Sequence, residues 1–400
     1  MSDVDRLLSA FASGSLVRPS AGVTSIVDLA RAVAMLAGAE GVRIGQHATE
    51  LAEMIGPSDH LIFVLADGVG LSMMEQLSSD SFLLTHLAAE IMTVFPSTTA
   101  VALTTLATGE WPTRHAVTGW WTHLPEMGSA AAILPFTRRS DKRPLDQLGV
   151  TPEHAFPFPA LTAGADRDPL SLLPERIAGS VYSAYAGGGH ERRGYRGLRR
   201  AVDIAVARTR DSEGPTYTYI YTDRVDAVAH RRGSAHELVH AALVQLDREL
   251  ARLHRGLDGR GVIVVSADHG FLDAPREARH QITASDPVLA DLRFQPSGDA
   301  RVMYLHVSHG AEDRVRELFQ KRFGGRFFLI SADEADALEL FGPGPMSRET
   351  RSRIGDLVAI SCGPDVIAYQ PGRGPARLMS QESQHSGLTP QEMRVPLVVA

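Results

Sequence analysis

Two strongly apolar runs anchor the hydropathy pattern, the continuous Leu61 to Ala66 and Gly261 to Ala267. Each has the length of a strand and lacks polar alternation. That pattern suits strands buried on both faces of a parallel sheet. Thr216 to Thr222 (TYTYIYT) is a third β-rich run, and Val395 to Ala400 (VPLVVA) reads as a last sheet strand. Between the runs the period changes to that of helices. Ile26, Leu29, Ala30, Val33 and Leu36 fall at helical spacing. Leu71 to Leu77 and Leu198 to Arg208 also read as helices, and Ala235 to Leu253 carries a stripe of Val239, Ala242, Leu246, Leu250 and Leu253. Alternating strands and helices predict an α/β fold with a mostly parallel central sheet flanked by helices.

One stretch combines both periods. Ile91 to Phe95 is strand-like, Pro96-Ser97 breaks it, and a helix of small and apolar residues follows from about Thr98 to Ala107, stopped by Gly109. Thr98 and Thr99 therefore sit at a helix's first turn, where unpaired N–H groups and the dipole favour an anion. Residues 122 to about 215 carry many Pro, Gly and Arg residues and predict only short apolar pieces. From 272 the order changes to strand (Arg301 to Val307), helix (Ala311 to Phe323), strand (Arg326 to Ile330), helix (Asp333 to Leu340) and two strands (Leu357 to Ser361, Asp365 to Tyr369). Residues 272–383 are thus expected to form a smaller α+β insertion over the site, with 1–271 and 384–400 as the core.

Composition narrows the function classes. The 400 residues are 44% hydrophobic and 22% charged, ordinary values for a globular chain. A net charge of −7 argues against a nucleic-acid polymer as partner. The single cysteine, Cys362, excludes an intramolecular disulfide and a thiolate-only metal site. The first twenty residues lack a signal-peptide pattern, and no apolar run is long enough to span a bilayer. The expectation is a cytoplasmic protein without a membrane partner.

The chemistry gathers at strand ends. Asp67 ends the first apolar run, Asp223, Asp226 and His230 follow the tyrosine-rich run, and Asp268-His269 end the second. Open α/β sheets place ligands at such carboxyl ends. Asp226 and His230 are one helical turn apart and face the same way. Each residue has a plainer alternative: Asp67 as a helix cap, Asp268-His269 as a turn, Ser97 or Thr98 as an N-cap. Together, Asp67, Thr99, Asp226, His230, Asp268, His269 and His385 offer three carboxylates, three imidazoles and a hydroxyl. Two zinc-like ions would use such a set, and paired ions clamp both oxygens of an in-line displacement at phosphorus. Asp223 is set at the wrong distance from His230 to share a face, and is expected as a cap or a support behind the ligands.

The segments FPSTTAVALTTLATGEWPTRHAVTG, DRVDAVAHRRG, SADHG and QHSGLTPQEMRVPL, in this order, resemble the alkaline phosphatase superfamily and within it the type I phosphodiesterase/nucleotide pyrophosphatase branch. The resemblance implies an alkaline-phosphatase-like fold and a metal-dependent phosphohydrolase. It implies Thr99 as a metal-bound nucleophile forming a phospho-threonine. Asp67, Thr99, Asp268 and His269 would hold one divalent ion, and Asp226, His230 and His385 the other. Zinc is expected, with manganese or iron as alternatives. The substrate would be a small phosphorylated molecule, with a nucleotide among the candidates and a phosphodiester or pyrophosphate bond cleaved. A phosphomonoesterase or a phosphonoacetate-type hydrolase is the neighbouring alternative. Two positions depart from the branch. Ala-Val-Ala follows Thr99 in place of Phe-Pro-Asn, and Trp120 stands where the branch has an oxyanion-binding Asn. Thr118 or the backbone of Gly119 is the expected substitute.

A different class is also encoded. His236-Glu237-Leu238-Val239-His240 matches the H-E-x-x-H zinc-protease pattern on an expected helix. Leu243 and Leu246 occupy positions where the longer signature has Gly and His. The pair also lies beside the apolar stripe, so a solvated helix face is the better account.

Overall fold

A computed structural model describes residues 1–372 and 374–400. Seven strands form the main sheet: β1 (His60–Ala66), β2 (Leu87–Met92), β3 (Pro169–Pro174), β4 (Glu191–Tyr195), β5 (Thr216–Thr222), β6 (Gly261–Ser266) and β7 (Arg394–Val399). Their order across the sheet is β2-β7-β6-β1-β5-β3-β4. β1 pairs parallel with both β5 and β6, and β3 parallel with β4 and β5. Only β7 runs antiparallel to its neighbours β2 and β6. Every residue of β1 is buried, as its unbroken apolar run demands. The sheet is flanked by helices, among them Ile26–Leu36, Thr99–Thr108, Leu198–Asp211 and Glu237–Leu257. Val239, Leu243, Leu246 and Leu250 of the last one are buried in the principal core together with β1 and β6.

A second seven-stranded sheet packs its own apolar faces. Residues 272–383 supply Ser297–Gly298, Val302–Leu305, Phe327–Ser331 and Leu357–Ser361 to it. Residues 121–138 supply the other three strands, Trp121–Leu124, Ser129–Ala132 and Thr137–Arg138. Ser297–Gly298 joins the two groups by pairing Gly298 with Trp121. Among the described residues, no helix is long and apolar enough to cross a membrane.

Several boundaries differ from the sequence expectation. The strand expected at Ile91 to Phe95 is Leu87–Met92, because β7 pairs with Leu87 to Met92 and the chain then turns toward the sheet's carboxyl edge. The helix expected over Leu71 to Leu77 closes at Met74. The long helix begins at Glu237, with His236 as its N-cap, and runs on to Leu257.

Candidate active site

The sheet delivers its chemistry at one edge. Asp67 follows β1 directly and is buried. Gly68 follows with φ of 74°, and a side chain there would strike the Phe271 ring at 2.4 Å, so glycine is required. Its N–H donates to Asp268 Oδ1 at 2.9 Å, which ties the ends of β1 and β6 together. Asp226 and His230 lie in the helix Arg224–Arg232 that opens after β5. His385 arrives from the far end of the chain, and the next residue, Ser386, has φ of 96°. A non-glycine residue in this region is strained and is held by its surroundings. Ser386 donates its N–H to Ser97 O at 2.9 Å and accepts from the Arg301 N–H at 3.1 Å.

Thr99 opens the helix Thr99–Thr108. Neither neighbouring hydroxyl caps that helix. Ser97 Oγ donates to Gly387 O at 2.7 Å, and Thr98 Oγ1 donates to Asp299 Oδ2 at 2.7 Å. Thr99 Oγ1 lies 3.1 Å from His269 Nε2. The same nitrogen is 3.5 Å from Asp67 Oδ1 and 3.4 Å from Asp268 Oδ2. On the other side, His230 Nε2 lies 3.2 Å from His385 Nε2 and 3.4 Å from Asp226 Oδ1. The His269 and His385 rings stack with centroids 3.7 Å apart, so the two groups are adjacent. All seven residues singled out from the sequence are therefore brought together.

The family assignment follows from a family model described as type I phosphodiesterase/nucleotide pyrophosphatase, which matches residues 147–386. The chain belongs to this family. It is a hydrolase acting on phosphate esters, and its family is metal-dependent. The matched residues contain Asp226, His230, Asp268, His269 and His385, while Asp67 and Thr99 precede them. Murine ectonucleotide pyrophosphatase/phosphodiesterase 5 has a similar fold, with a TM-score of 0.63 and 13% identity over 84% of this chain and 87% of that chain. An inactive threonine-to-alanine variant of the murine protein in complex with AMP matches with a TM-score of 0.62 at 13% identity, with the same coverage. The human protein matches with a TM-score of 0.63 at 14% identity, over 85% of this chain and 87% of that one. No curated protein sequence matches the chain.

Hydrogen bonding in this phosphodiesterase-family site fits a cation. His230 Nδ1 donates to Ser383 O at 2.8 Å, His269 Nδ1 to Gly270 O at 3.0 Å, and His385 Nδ1 to Ser97 O at 3.1 Å. A carbonyl only accepts, so each Nδ1 carries the proton and each Nε2 turns a lone pair into the site. Asp67 Oδ1, Asp226 Oδ1 and Asp268 Oδ2 are buried there without a hydrogen-bond partner. Such bare acceptors are costly unless a positive charge serves them. Two ligand sets come together, Asp226 with His230 and His385, and Asp67 with Asp226 and His269. Burial, reinforced by Asp226 and Asp268, pushes the Asp67 carboxyl well above its ordinary range. Burial lifts Asp226 to about 7, and burial beside two imidazoles holds His385 well below the usual histidine value. Burial is the largest cause of each of these shifts.

The site opens into a cavity of about 1480 Å³. Its wall includes Trp120 and Asp299, but neither Thr118 nor Gly119. Thr118 is fully buried, and Gly119 packs on the Gly298 backbone. Asp299 was not foreseen. It accepts from Thr98 and from the Trp120 N–H at 3.1 Å, in a stretch with no periodic signal. Tyr221 was also missed, although it ends the tyrosine-rich run; its hydroxyl donates to Asp67 Oδ2. Asp223 caps no N–H with its side chain and instead pairs with Arg176. The zinc-protease alternative loses its geometry: His236 is outside the helix, where its Nδ1 accepts the Leu238 N–H at 3.1 Å, and Glu237 and His240 are exposed.

Proposed function

We propose that this chain cleaves a phosphodiester or pyrophosphate bond of a small phosphorylated substrate, nucleotides included, with Thr99 as the nucleophile. The observation that carries this reading is Thr99 Oγ1 at 3.1 Å from His269 Nε2, beside carboxylate oxygens that have no partner. Asp67, Thr99, Asp268 and His269 would hold one divalent ion, and Asp226, His230 and His385 a second, with zinc first and manganese or iron as alternatives. Bound there, the ions supply Lewis acidity, which lowers the pKa of a coordinated hydroxyl and neutralises phosphoryl charge.

The chain's own groups supply the remainder. Thr99 Oγ1 forms the new bond to phosphorus in line with the departing ester or phosphate oxygen. Water then cleaves the phospho-Thr99 ester and restores the hydroxyl. The Thr99 N–H, at the first turn of its helix, accompanies the helix dipole in stabilising a non-bridging oxygen. Residues 272–383 shape specificity, since Asp299, Tyr369 and Arg377 line the cavity. The AMP-bound inactive murine variant supports a nucleotide among the substrates.

The test is turnover of bis(p-nitrophenyl) phosphate, p-nitrophenyl phosphate, nucleotide sugars and a phosphonate by zinc- or manganese-loaded protein. The diester or the nucleotide sugars should turn over fastest. Thr99→Ala should lose roughly three orders of magnitude or more, as nucleophile deletions do. Near-full turnover in Thr99→Ala contradicts the proposed nucleophile.

A further inference from the structure

Two cations share one indole on the cavity wall. Arg139 Cζ and Lys142 Nζ each lie 4.5 Å from the Trp121 ring. Both follow the strand Thr137–Arg138, in a tight turn that the Lys142 N–H closes by donating to Arg138 O at 3.0 Å. Arg139 is held on a second side as well. Its Cζ lies 4.9 Å from the Tyr369 ring, and it donates to Pro296 O at 2.9 Å and to Tyr369 O at 2.8 Å. Two rings and two carbonyls thus fix the guanidinium plane, while its remaining N–H groups make no hydrogen bond among the described residues. Trp121, Arg139, Lys142 and Tyr369 all line the cavity. Asp299 links this wall to the reaction centre: it accepts from Thr98, the residue before Thr99, and from the N–H of Trp120, the residue before Trp121.

Every acid near these two cations is already engaged. Asp67 and Asp226 belong to the proposed ion centre, and Asp223 pairs with Arg176. Asp299 accepts from Thr98, Trp120 and Ala300. Asp141, inside the turn itself, pairs with Arg138, whose Nε donates to Oδ1 at 3.0 Å. Among the described residues no carboxylate comes within 4.0 Å of Arg139 or Lys142. The other cations of the wall, Arg231 and Arg377, are exposed and bring no acid with them. Burial lowers Arg139 to about 10, so it stays charged at neutral pH; burial also lowers Lys142, and Arg139 adds to that shift. A charge that has lost water and found no partner is costly, and an anion offsets the loss. A carboxylate would match one of the two charges. A phosphate dianion matches both, and its three acceptor oxygens suit the unused guanidinium and ammonium donors.

We propose that Arg139 and Lys142, beside Trp121, bind a second phosphate group of the substrate, apart from the phosphorus that Thr99 attacks. This rests on the proposed reaction at Thr99 and narrows its substrates to molecules that carry two phosphates. The test is a series of α,ω-bisphosphonates with short, medium and long methylene spacers, titrated calorimetrically into zinc-loaded protein. Each is compared with the alkylphosphonate of equal carbon number, which cancels the contribution of the chain. A charge-assisted hydrogen bond is worth roughly ten- to a hundredfold in affinity. At least one bisphosphonate should bind tighter than its partner by about that ratio. Arg139→Met and Lys142→Met should each reduce the ratio about threefold or more. Lys142 is exposed, so its variant carries the test if Arg139→Met does not fold. A ratio short of about tenfold at every spacer, or one that survives in either folded variant, overturns the second phosphate site. If neither member of any pair binds, turnover of bis(p-nitrophenyl) phosphate decides, because that diester has one phosphate and reports on Thr99 alone. Turnover then overturns only the second site, and its absence overturns the Thr99 centre as well.

Discussion

At the scale of single residues, the orientation of the proposed ligands is set from behind. Each of the three imidazoles is pinned through Nδ1 to a backbone carbonyl, so its remaining nitrogen has one direction to face. Asp67 is pinned by a side chain instead, the Tyr221 hydroxyl. Partners of this kind tune ligand affinity by roughly 10- to 100-fold. Tyr221→Phe should therefore weaken zinc binding by about that factor with little change in fold, measured by competition with a chromophoric chelator. Zinc affinity equal to wild type would show that Asp67 does not depend on this hydroxyl. Tyr221 also illustrates what a sequence withholds at this scale. Asp67, Asp226 and Asp268 were legible because each follows an apolar or β-rich run. Tyr221 looked like one more strand former, and Asp299 sits among loop residues where no period marks a direction.

At the scale of elements, the loop carrying His385 hangs on a buried ion pair. Arg301 and Glu392 are both fully buried, with Arg301 Nε 2.7 Å from Glu392 Oε1. The contact is short, yet off line for a hydrogen bond, and no guanidinium nitrogen finds an acceptor. Charge attraction is thus the principal tie. Glu392 in turn accepts from the Gly387 N–H at 2.7 Å and from the Thr389 hydroxyl at 2.6 Å, which closes the loop directly after His385. Removing one member of a buried pair strands the other charge, at about 3–5 kcal/mol. Arg301→Met should lose stability of that order in urea unfolding; a loss below about 1 kcal/mol would mean that the pair contributes little. Element-scale reading of the sequence succeeded where one surface dominates the pattern. Every residue of β1 is buried and so are four of the six of β6, and both runs are strongly apolar. β4 was not legible, because it is an edge strand reading Glu-Arg-Arg-Gly-Tyr with only Tyr195 buried. Charged edges of this type resist further pairing and erase the strand signal.

At the scale of the molecule, distant stretches meet at one end of one sheet. Asp67, Asp226 and Asp268 follow β1, β5 and β6, which are immediate neighbours in the sheet although far apart in the chain. Parallel pairing aligns their carboxyl ends, so three acidic turns converge without any local signal. Short, ordered motifs made this convergence readable in advance. The composition of the second sheet was not readable: strands at 121–138 join strands at 297–361 by pairings that no periodicity records. That joint also places Trp120 and Asp299 side by side on the cavity wall, the least expected feature of the site.

The proposed two-ion centre is tested most directly by anomalous diffraction at the zinc edge from crystals of zinc-loaded protein. Two peaks are expected ~3.5–4 Å apart, one within bonding distance of Asp226, His230 and His385 and the other of Asp67, Thr99, Asp268 and His269. A single peak, or peaks away from the Thr99 hydroxyl, would contradict it.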